Sequence, residues 1–460
     1  MRAHGLRLAA PLALAAWLAA SSVRASPAID DSALRTRRTT LENGMVVLTL
    51  EDRTTPVVAV QMWVRVGSSD EARVTGLAHL FEHMMFNGSK RIAPERHGQL
   101  IHSRGGETNA YTTPDVTVYT TEIPREALPL VIALEAERLA HLDISEQALA
   151  KERRVVLEER LLRTEDQPGG RAREALNALM FQALPYRWPV IGWRSDIENT
   201  TVEDCREFFS TYYAPNNIVL VIVGDFDGDA ALAQIRESFG ALRPASRIPR
   251  SLTREPPQDG ARRADVHFDL SSPVLAIAWR TPAAGHPDAE ALDVAGEILS
   301  GGRSSRIYRR LIREEQLALS AHSMNWALAR AGFFGAYASV RHDASIDRAE
   351  QSLLEEIARL RDAPVSAHEL DTAKRQIEVA MVYELTTNAA IADRIGYDVT
   401  TFGAIRPLEE RLAAIEAVAA ADVQRVAQTY LGESARNVVR VVPRPGAAPA
   451  EASAPTAGGR

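Results

Sequence analysis

The sequence predicts an α+β protein made of two homologous halves joined by a linker. Three observations carry this. Short Val-, Ile- and Leu-rich runs of strand length alternate with longer amphipathic stretches of helical period. A set of anchors recurs: Ile197-Glu198, Asp204 and Tyr212 return at one constant offset as Ile415-Glu416, Asp422 and Tyr430. Ile218-Val219-Leu220-Val221 is echoed by Val438-Val439-Arg440-Val441, and Ile144-Ser145 with Leu149 by Val365-Ser366 with Leu370. Between the two sets, from Arg243 to Arg263, Pro244, Pro249, Pro256 and Pro257 stand among Arg, Ser and Asp, which reads as an extended, exposed linker. The predicted organisation is a targeting segment at 1–25, a first half over 34–240, the linker over 241–263, a second half over 264–444 and a disordered tail over 445–460.

Composition narrows the function classes. The chain has 460 residues, 25% of them charged, enough for two or more globular domains. A net charge of −7 argues against a nucleic-acid surface. Cys205 is the only cysteine, so there is no disulfide within the chain and no cysteine-rich zinc site; a metal must be held by His and carboxylates. At the start, Arg2 and Arg7 precede an apolar run from Leu8 to Ala20, and Val23-Arg24-Ala25 fits a small-x-small cleavage pattern before Ser26. The expectation is an exported protein, periplasmic in a Gram-negative source. A retained membrane anchor is the alternative. No Cys follows the apolar run to carry a lipid, and no later stretch reaches the length of a membrane span.

The elements follow in order. Asn43-Gly44, inside Thr40 to Leu50, is a hairpin signal, and Pro56 to Val66 reads as a strand. An apolar helix spans the stretch Gly76 to Ser89. Lys90 to Arg104, with His97 and His102, reads as a polar segment, and Gly105-Gly106 as a turn. Asn109 to Thr121 reads as extended chain whose first half Pro114 demotes to an edge or irregular strand. Pro124 to Leu142 is an amphipathic helix, and Ser145 caps a long one. Pro168-Gly169-Gly170 reads as a loop before more helix. Thr201 to Tyr213 is helical and Ile218 to Val223 a buried strand.

The chemistry concentrates in G-L-A-H-L-F-E-H-M-M-F-N-G-S over 76–89. Its H-x-x-E-H pattern puts His79 and His83 on one helical face with Glu82 beside them. Two neutral imidazoles suit zinc, and a third protein ligand would leave one position for water. A carboxylate within reach of that water can take its proton, the constellation of metal-assisted hydrolysis. On the helix that Ser145 caps, Glu152 and Glu159 lie two turns apart on one face, and Glu158 points elsewhere. Either Glu alone could belong to a solvated face. The repeat favours function for both: at the matching offset they become Ala373 and Ala380, and the segment matching the His-bearing helix, near Leu292 to Gly302, has no His.

These stretches, with G-G-E-T-N-A-Y-T-T-P-D-V-T-V-Y over 105–119 and E-R-R-V-V-L-E-E-R over 152–160, resemble the pitrilysin family of zinc peptidases, the inverzincins. The length points to the short branch that includes mitochondrial processing peptidase and its bacterial relatives. The resemblance implies two homologous α/β-sandwich halves and a zinc metalloendopeptidase acting on peptides or unfolded segments, with one zinc per chain. It implies His79, His83 and Glu159 as zinc ligands, Glu82 as general base, and Glu152 as a second acidic residue orienting a ligand histidine. Asn109, Ala110 and Tyr111 match the edge segment where a peptide adds as an extra strand. Glu158 has no matching role. The family's second half supplies an Arg and a Tyr for the oxyanion; here Arg306, Tyr308, Tyr337 and Arg341 are candidates by type only. After Gly332 the chain reads F-F-G-A-Y-A-S-V-R-H-D, without a convincing Arg-then-Tyr arrangement. The resemblance therefore implies a dimer, with a related chain lacking H-x-x-E-H before a second copy. The alternative is a non-catalytic assembly subunit, against which the intact motif weighs.

Overall fold

The computed structural model describes residues 36–445; the targeting segment read at 1–25 and the tail beyond residue 445 lie outside the described residues. Asn43-Gly44 turns the chain as its dipeptide signal predicts, with Gly44 at φ 85°. The turn joins β1 (Arg37–Thr40) to β2 (Val46–Glu51) as an antiparallel pair. There follow β3 (Val57–Val64), α1 (Leu77–Met84), α2 (Arg96–His102), β4 (Glu107–Thr112), β5 (Thr117–Pro124), α3 (Leu128–His141), α4 (Glu146–Arg160), α5 (Pro168–Met180), α6 (Arg194–Asn199), α7 (Val202–Tyr212), β6 (Ile218–Gly224) and α8 (Gly228–Phe239). The second half runs β7 (Arg262–Phe268), β8 (Val274–Thr281), α9 (Ala289–Ser300), β9 (Ala318–Ala327), β10 (Gly332–Val340), α10 (Ile346–Asp362), α11 (Ala367–Tyr383), α12 (Asn388–Phe402), α13 (Leu408–Ala417), α14 (Ala420–Tyr430) and β11 (Asn437–Pro443).

The sequence repeat is a repeat of topology. The first sheet has the order β1-β2-β6-β3-β5-β4 and the second β7-β11-β8-β10-β9. Without the extra edge strand β1, the two coincide. In each, the last strand runs parallel to the first (β6 with β2, β11 with β7) and antiparallel to the second (β3, β8). A hairpin then completes the sheet (β5 and β4, β10 and β9). The echoed anchors Ile218 to Val221 and Val438 to Val441 are these inner parallel strands, which explains their near-continuous apolar character.

Each half lends a helix to the other. Ala172, Leu176 and Met180 of α5 are buried against Ala276, Ala278, Val439 and Val441 of the second sheet. Ala392, Ile395 and Val399 of α12 are buried against Leu48, Trp63, Val219 and Val221 of the first. A fully buried Leu, Ile, Val or Met side chain contributes about 2 kcal/mol, so the two larger side chains on each helix hold it in place. Gly396 lets α12 lie directly on Trp63: a Cβ there would come within 2.1 Å of the indole.

Several segments differ from expectation for local reasons. The polar segment from Lys90 to Arg104 contains the helix α2, anchored by buried His97 and Ile101. The extended chain from Asn109 to Thr121 is two strands, with Pro114 in the turn between them; β4 is the sheet edge. Pro168 is the first residue of α5, so Pro168-Gly169-Gly170 forms its first turn instead of a loop. Gly170 is required there, since a Cβ would meet Thr164 Cα at 2.6 Å. The Pro-rich segment before β7 has no regular structure, yet it is pinned. The Glu255 carboxylate accepts from the N–H groups of Gln182, Ala183 and Leu184 at 2.7, 2.9 and 2.8 Å and faces Arg280 at 3.3 Å. Among the described residues no helix is long and apolar enough to cross a membrane.

Candidate metal centre

The apolar positions of α1 fix its orientation. Leu77, Ala78, Leu80, Phe81 and Met84 are buried in the core of the first half, which leaves His79, Glu82 and His83 on the other side. The helix begins at Gly76 without a side-chain cap of its own. Glu71 takes that role: its carboxylate accepts from the N–H groups of Gly76 and Ala78, each at 2.8 Å. Burial drives the Glu71 pKa well up, against the pull of those two bonds. At the far end the Tyr119 hydroxyl donates to the Phe81 carbonyl at 3.1 Å.

The second contribution comes from α4. Ser145 caps it by accepting from the Ala148 N–H, and its two-turn spacing delivers Glu152 and Glu159 to the α1 histidines. Glu159 Oε2 lies 3.1 Å from His83 Nε2 and 3.6 Å from His79 Nε2. Its other oxygen is held by Arg163, one turn on, at 2.6 Å. Glu152 Oε2 is 3.7 Å from the opposite nitrogen of the second imidazole, His83 Nδ1. His79, Glu82 and His83 offer ligand atoms that all lie within 4.8 Å of one another. Glu82 faces a different partner: its Oε2 accepts from Thr112 Oγ1 at 2.6 Å.

The electrostatics separate the groups. Burial, then the neighbouring His83, pushes the His79 pKa down to about 4, so this imidazole is neutral at ordinary pH. Burial also opposes charge on His83, but its hydrogen bond to Glu159 and the surrounding carboxylates outweigh it and raise its pKa. The same hydrogen bond lowers that of Glu159. Burial raises the Glu82 carboxyl, moderated by the Thr112 hydroxyl.

The donor set fits zinc. Two imidazole nitrogens and one carboxylate oxygen converge, with no thiol, and such a triad leaves a coordination position open. Buried His79 Nδ1 has no hydrogen-bond partner in the protein, so this ring's polar contacts lie on its Nε2 side. Glu159 Oε2 faces both Nε2 atoms, and Glu82, one of whose oxygens accepts from Thr112, lies within 4.8 Å of the same imidazoles, so two carboxylates stand where a triad could be completed. Glu158 is exposed on another face of α4. A Glu152→Ala protein is expected to bind zinc about 10 to 100 times more weakly while still filling at saturating metal; competition with a chromophoric chelator measures this.

Asn109, Ala110 and Tyr111 lie on the edge strand β4, beside α1. Ala110 packs towards the core of the first half. Asn109 Oδ1 accepts from the Ala110 N–H at 2.9 Å, and Tyr111 Oη donates to Asp393 of α12 at 2.8 Å. The four Arg and Tyr candidates of the second half are not gathered at this site. Arg306 pairs with Glu369 at 2.7 Å and Arg341 with Asp343 at 3.0 Å. Tyr337 stacks on His322 at 5.1 Å between ring centroids, and Tyr308 begins a π-helical segment that runs to Glu314. Among the described residues, the counterpart of α1, α9, carries no histidine, and Ala373 and Ala380 stand where Glu152 and Glu159 would.

Sequence reading missed Thr112, Arg163 and Glu71. Arg163 was legible as a cation four residues beyond Glu159 on one helix face. Thr112 is marked only as the strand position two beyond Ala110. Nothing in the sequence marks Glu71, whose role depends on a loop folding back on a helix start.

The chain resembles known proteins over most of its length. Residues 46–192 match the family described as "Insulinase (Peptidase family M16)", and residues 199–377 the one described as "Peptidase M16 inactive domain". It is 28% identical to the zinc protease PqqE of Helicobacter pylori, over 88% of this chain and 92% of that one. It is 30% identical to an uncharacterized zinc protease of Mycobacterium tuberculosis, over 89% and 93%. A solved structure, of a protease from Helicobacter pylori, superposes with a TM-score of 0.86 at 28% identity, covering 89% of this chain and all of that one. With an H-x-x-E-H helix in one half of a duplicated fold, the chain belongs to peptidase family M16.

Proposed function

We propose that the chain is an exported zinc metalloendopeptidase that cleaves peptides or unfolded polypeptide segments. The convergence of His79, His83 and Glu159 beside Glu82 and the open edge of β4 is the observation that carries this reading. His79, His83 and Glu159 would hold the metal. When bound, zinc supplies Lewis acidity towards a water and a peptide carbonyl. Glu82, whose pKa burial raises, accepts the proton of the attacking water and returns it to the leaving amine. Glu152 orients His83 from the far side of the ring. A peptide docks on β4 along Asn109, Ala110 and Tyr111 by main-chain pairing, which admits only chain that is already extended.

Export is supported by the basic start, apolar run and Val23-Arg24-Ala25. Dimerisation is supported by the engagements of the Arg and Tyr candidates: Arg306 is paired with Glu369, Arg341 with Asp343 and Tyr337 stacked on His322, and an oxyanion needs donors that another chain can bring. The test is metal analysis of the purified protein together with cleavage of a quenched-fluorescent peptide library, with and without chelator and with and without a similar-length relative lacking H-x-x-E-H. The expected result is one zinc per chain, loss of cleavage on chelation, and a faster reaction with the relative. N-terminal sequencing of the mature protein should begin at Ser26. A zinc-replete chain that cleaves nothing, alone or with the relative, would instead support an assembly subunit.

A further inference from the structure

Tyr111 and Thr112 are neighbours on β4, so their side chains leave opposite faces of the sheet. Thr112 points to the metal side, where Oγ1 donates to Glu82 Oε2 at 2.6 Å. Tyr111 points to the other side. Its ring meets Trp63 edge-on at 6.2 Å between centroids, and its hydroxyl donates to Asp393 Oδ1 at 2.8 Å. Asp393 belongs to α12, the helix lent by the second half.

The two partners in this contact differ in freedom. Helix α12 is locked to the sheet. Gly396 sits on Trp63 with no room for a Cβ, Gln61 Nε2 donates to the Ala389 carbonyl at 3.0 Å, and Asn388 Nδ2 donates to the Val57 carbonyl at 2.9 Å. Strand β4 has six residues and, among the described residues, pairs only with β5. A strand held along one side is the part of a sheet that opens most readily.

We infer that Asp393 is a positioning residue for the base: through Tyr111 it holds β4 where the Thr112 hydroxyl rests on Glu82. The inference rests on the role given to Glu82 in the peptidase reading. One peptide unit separates the two side chains, so a displacement of Tyr111 is transmitted to Thr112. A hydroxyl on Oε2 fixes the carboxylate rotamer and leaves Oε1 to receive a proton. The second half thereby acts on the chemistry of the first. Peptide docking on the open side of β4 would press on the same strand.

The test is a set of zinc-loaded variants assayed on one quenched peptide. Thr112→Val should lower kcat about thirtyfold, as expected for loss of a hydrogen bond to a charged group, and Thr112→Ser should restore it to within about threefold. Tyr111→Phe and Asp393→Ala should each lower kcat about fivefold, with zinc content and melting temperature unchanged. Added to Thr112→Val, Tyr111→Phe should cost nothing further. A full additional loss, or an effect confined to KM, overturns the inference, the second because Tyr111 would then act on substrate directly. A second readout needs no turnover. In Asp393→Ala, amide exchange over 107–112 should quicken about tenfold while that of α1 stays unchanged; equal exchange overturns the tether. A wild-type protein that holds zinc but cleaves nothing defeats the peptidase reading, while the exchange result still decides whether Asp393 holds the strand.

Discussion

Glu82→Gln is expected to keep its zinc and lose turnover by about a thousandfold or more. The substitution changes almost nothing but the proton chemistry. Glutamine has the same shape, and its carbonyl can still accept from Thr112 Oγ1, the contact that now stands at 2.6 Å. The three atoms placed to hold the metal belong to His79, His83 and Glu159 and are untouched. Removing a partly buried carboxylate should not destabilise the fold, because burial already disfavours its charge. Metal content and melting temperature should therefore match wild type while kcat/KM collapses. A Glu82→Gln enzyme with near-normal rate would sink the assignment of Glu82 as base and require another proton acceptor at the site.

The parts of this molecule legible in the sequence were those written in local pattern. The H-x-x-E-H spacing needs only helical geometry, and so does the two-turn spacing of Glu152 and Glu159. The repeat was legible because its anchors, Ile197 with Ile415 and Asp204 with Asp422, serve one structural purpose twice: Asp204 and Asp422 each accept from the N–H of the residue that starts the helix, Thr201 before α7 and Ala419 before α14, both at 3.0 Å. What was not legible depended on chain brought from far away. The exchange of α5 and α12 between sheets leaves no local trace, because a helix with one apolar face looks the same whichever sheet it covers. Pro168 signals a loop in the sequence since Pro-Gly-Gly starts a turn as readily as a helix; the packing of Gly170 against Thr164 decides between them. Thr112 followed the same rule. Its hydroxyl matters only because α1 passes beneath β4, a contact no spacing within the 105–119 stretch could reveal.

Glu159→Ala is expected to abolish zinc retention, and Glu158→Ala to leave it intact. The two residues are adjacent in V-V-L-E-E, so the pair tests the register of the ligand helix. Each residue along an α-helix turns the side chain by about 100°. Glu159 thus faces the histidines, with Oε2 at 3.1 Å from His83 Nε2, while Glu158 is exposed and makes no ion pair among the described residues. Loss of Glu159 removes one of three ligands and also strips Arg163 of its partner at 2.6 Å, leaving a cation beside the site to repel the metal. Two imidazoles alone hold zinc weakly, so after gel filtration in metal-free buffer the Glu159→Ala protein should carry little zinc, and peptidase activity should return only partly at high added metal. Glu159→Gln separates the two causes: its amide can still face Arg163 but ligates poorly, so it should also lose zinc. Zinc retained in Glu159→Ala and lost in Glu158→Ala would mean that α4 presents the other carboxylate to the histidines and that the ligand set named here is off by one residue.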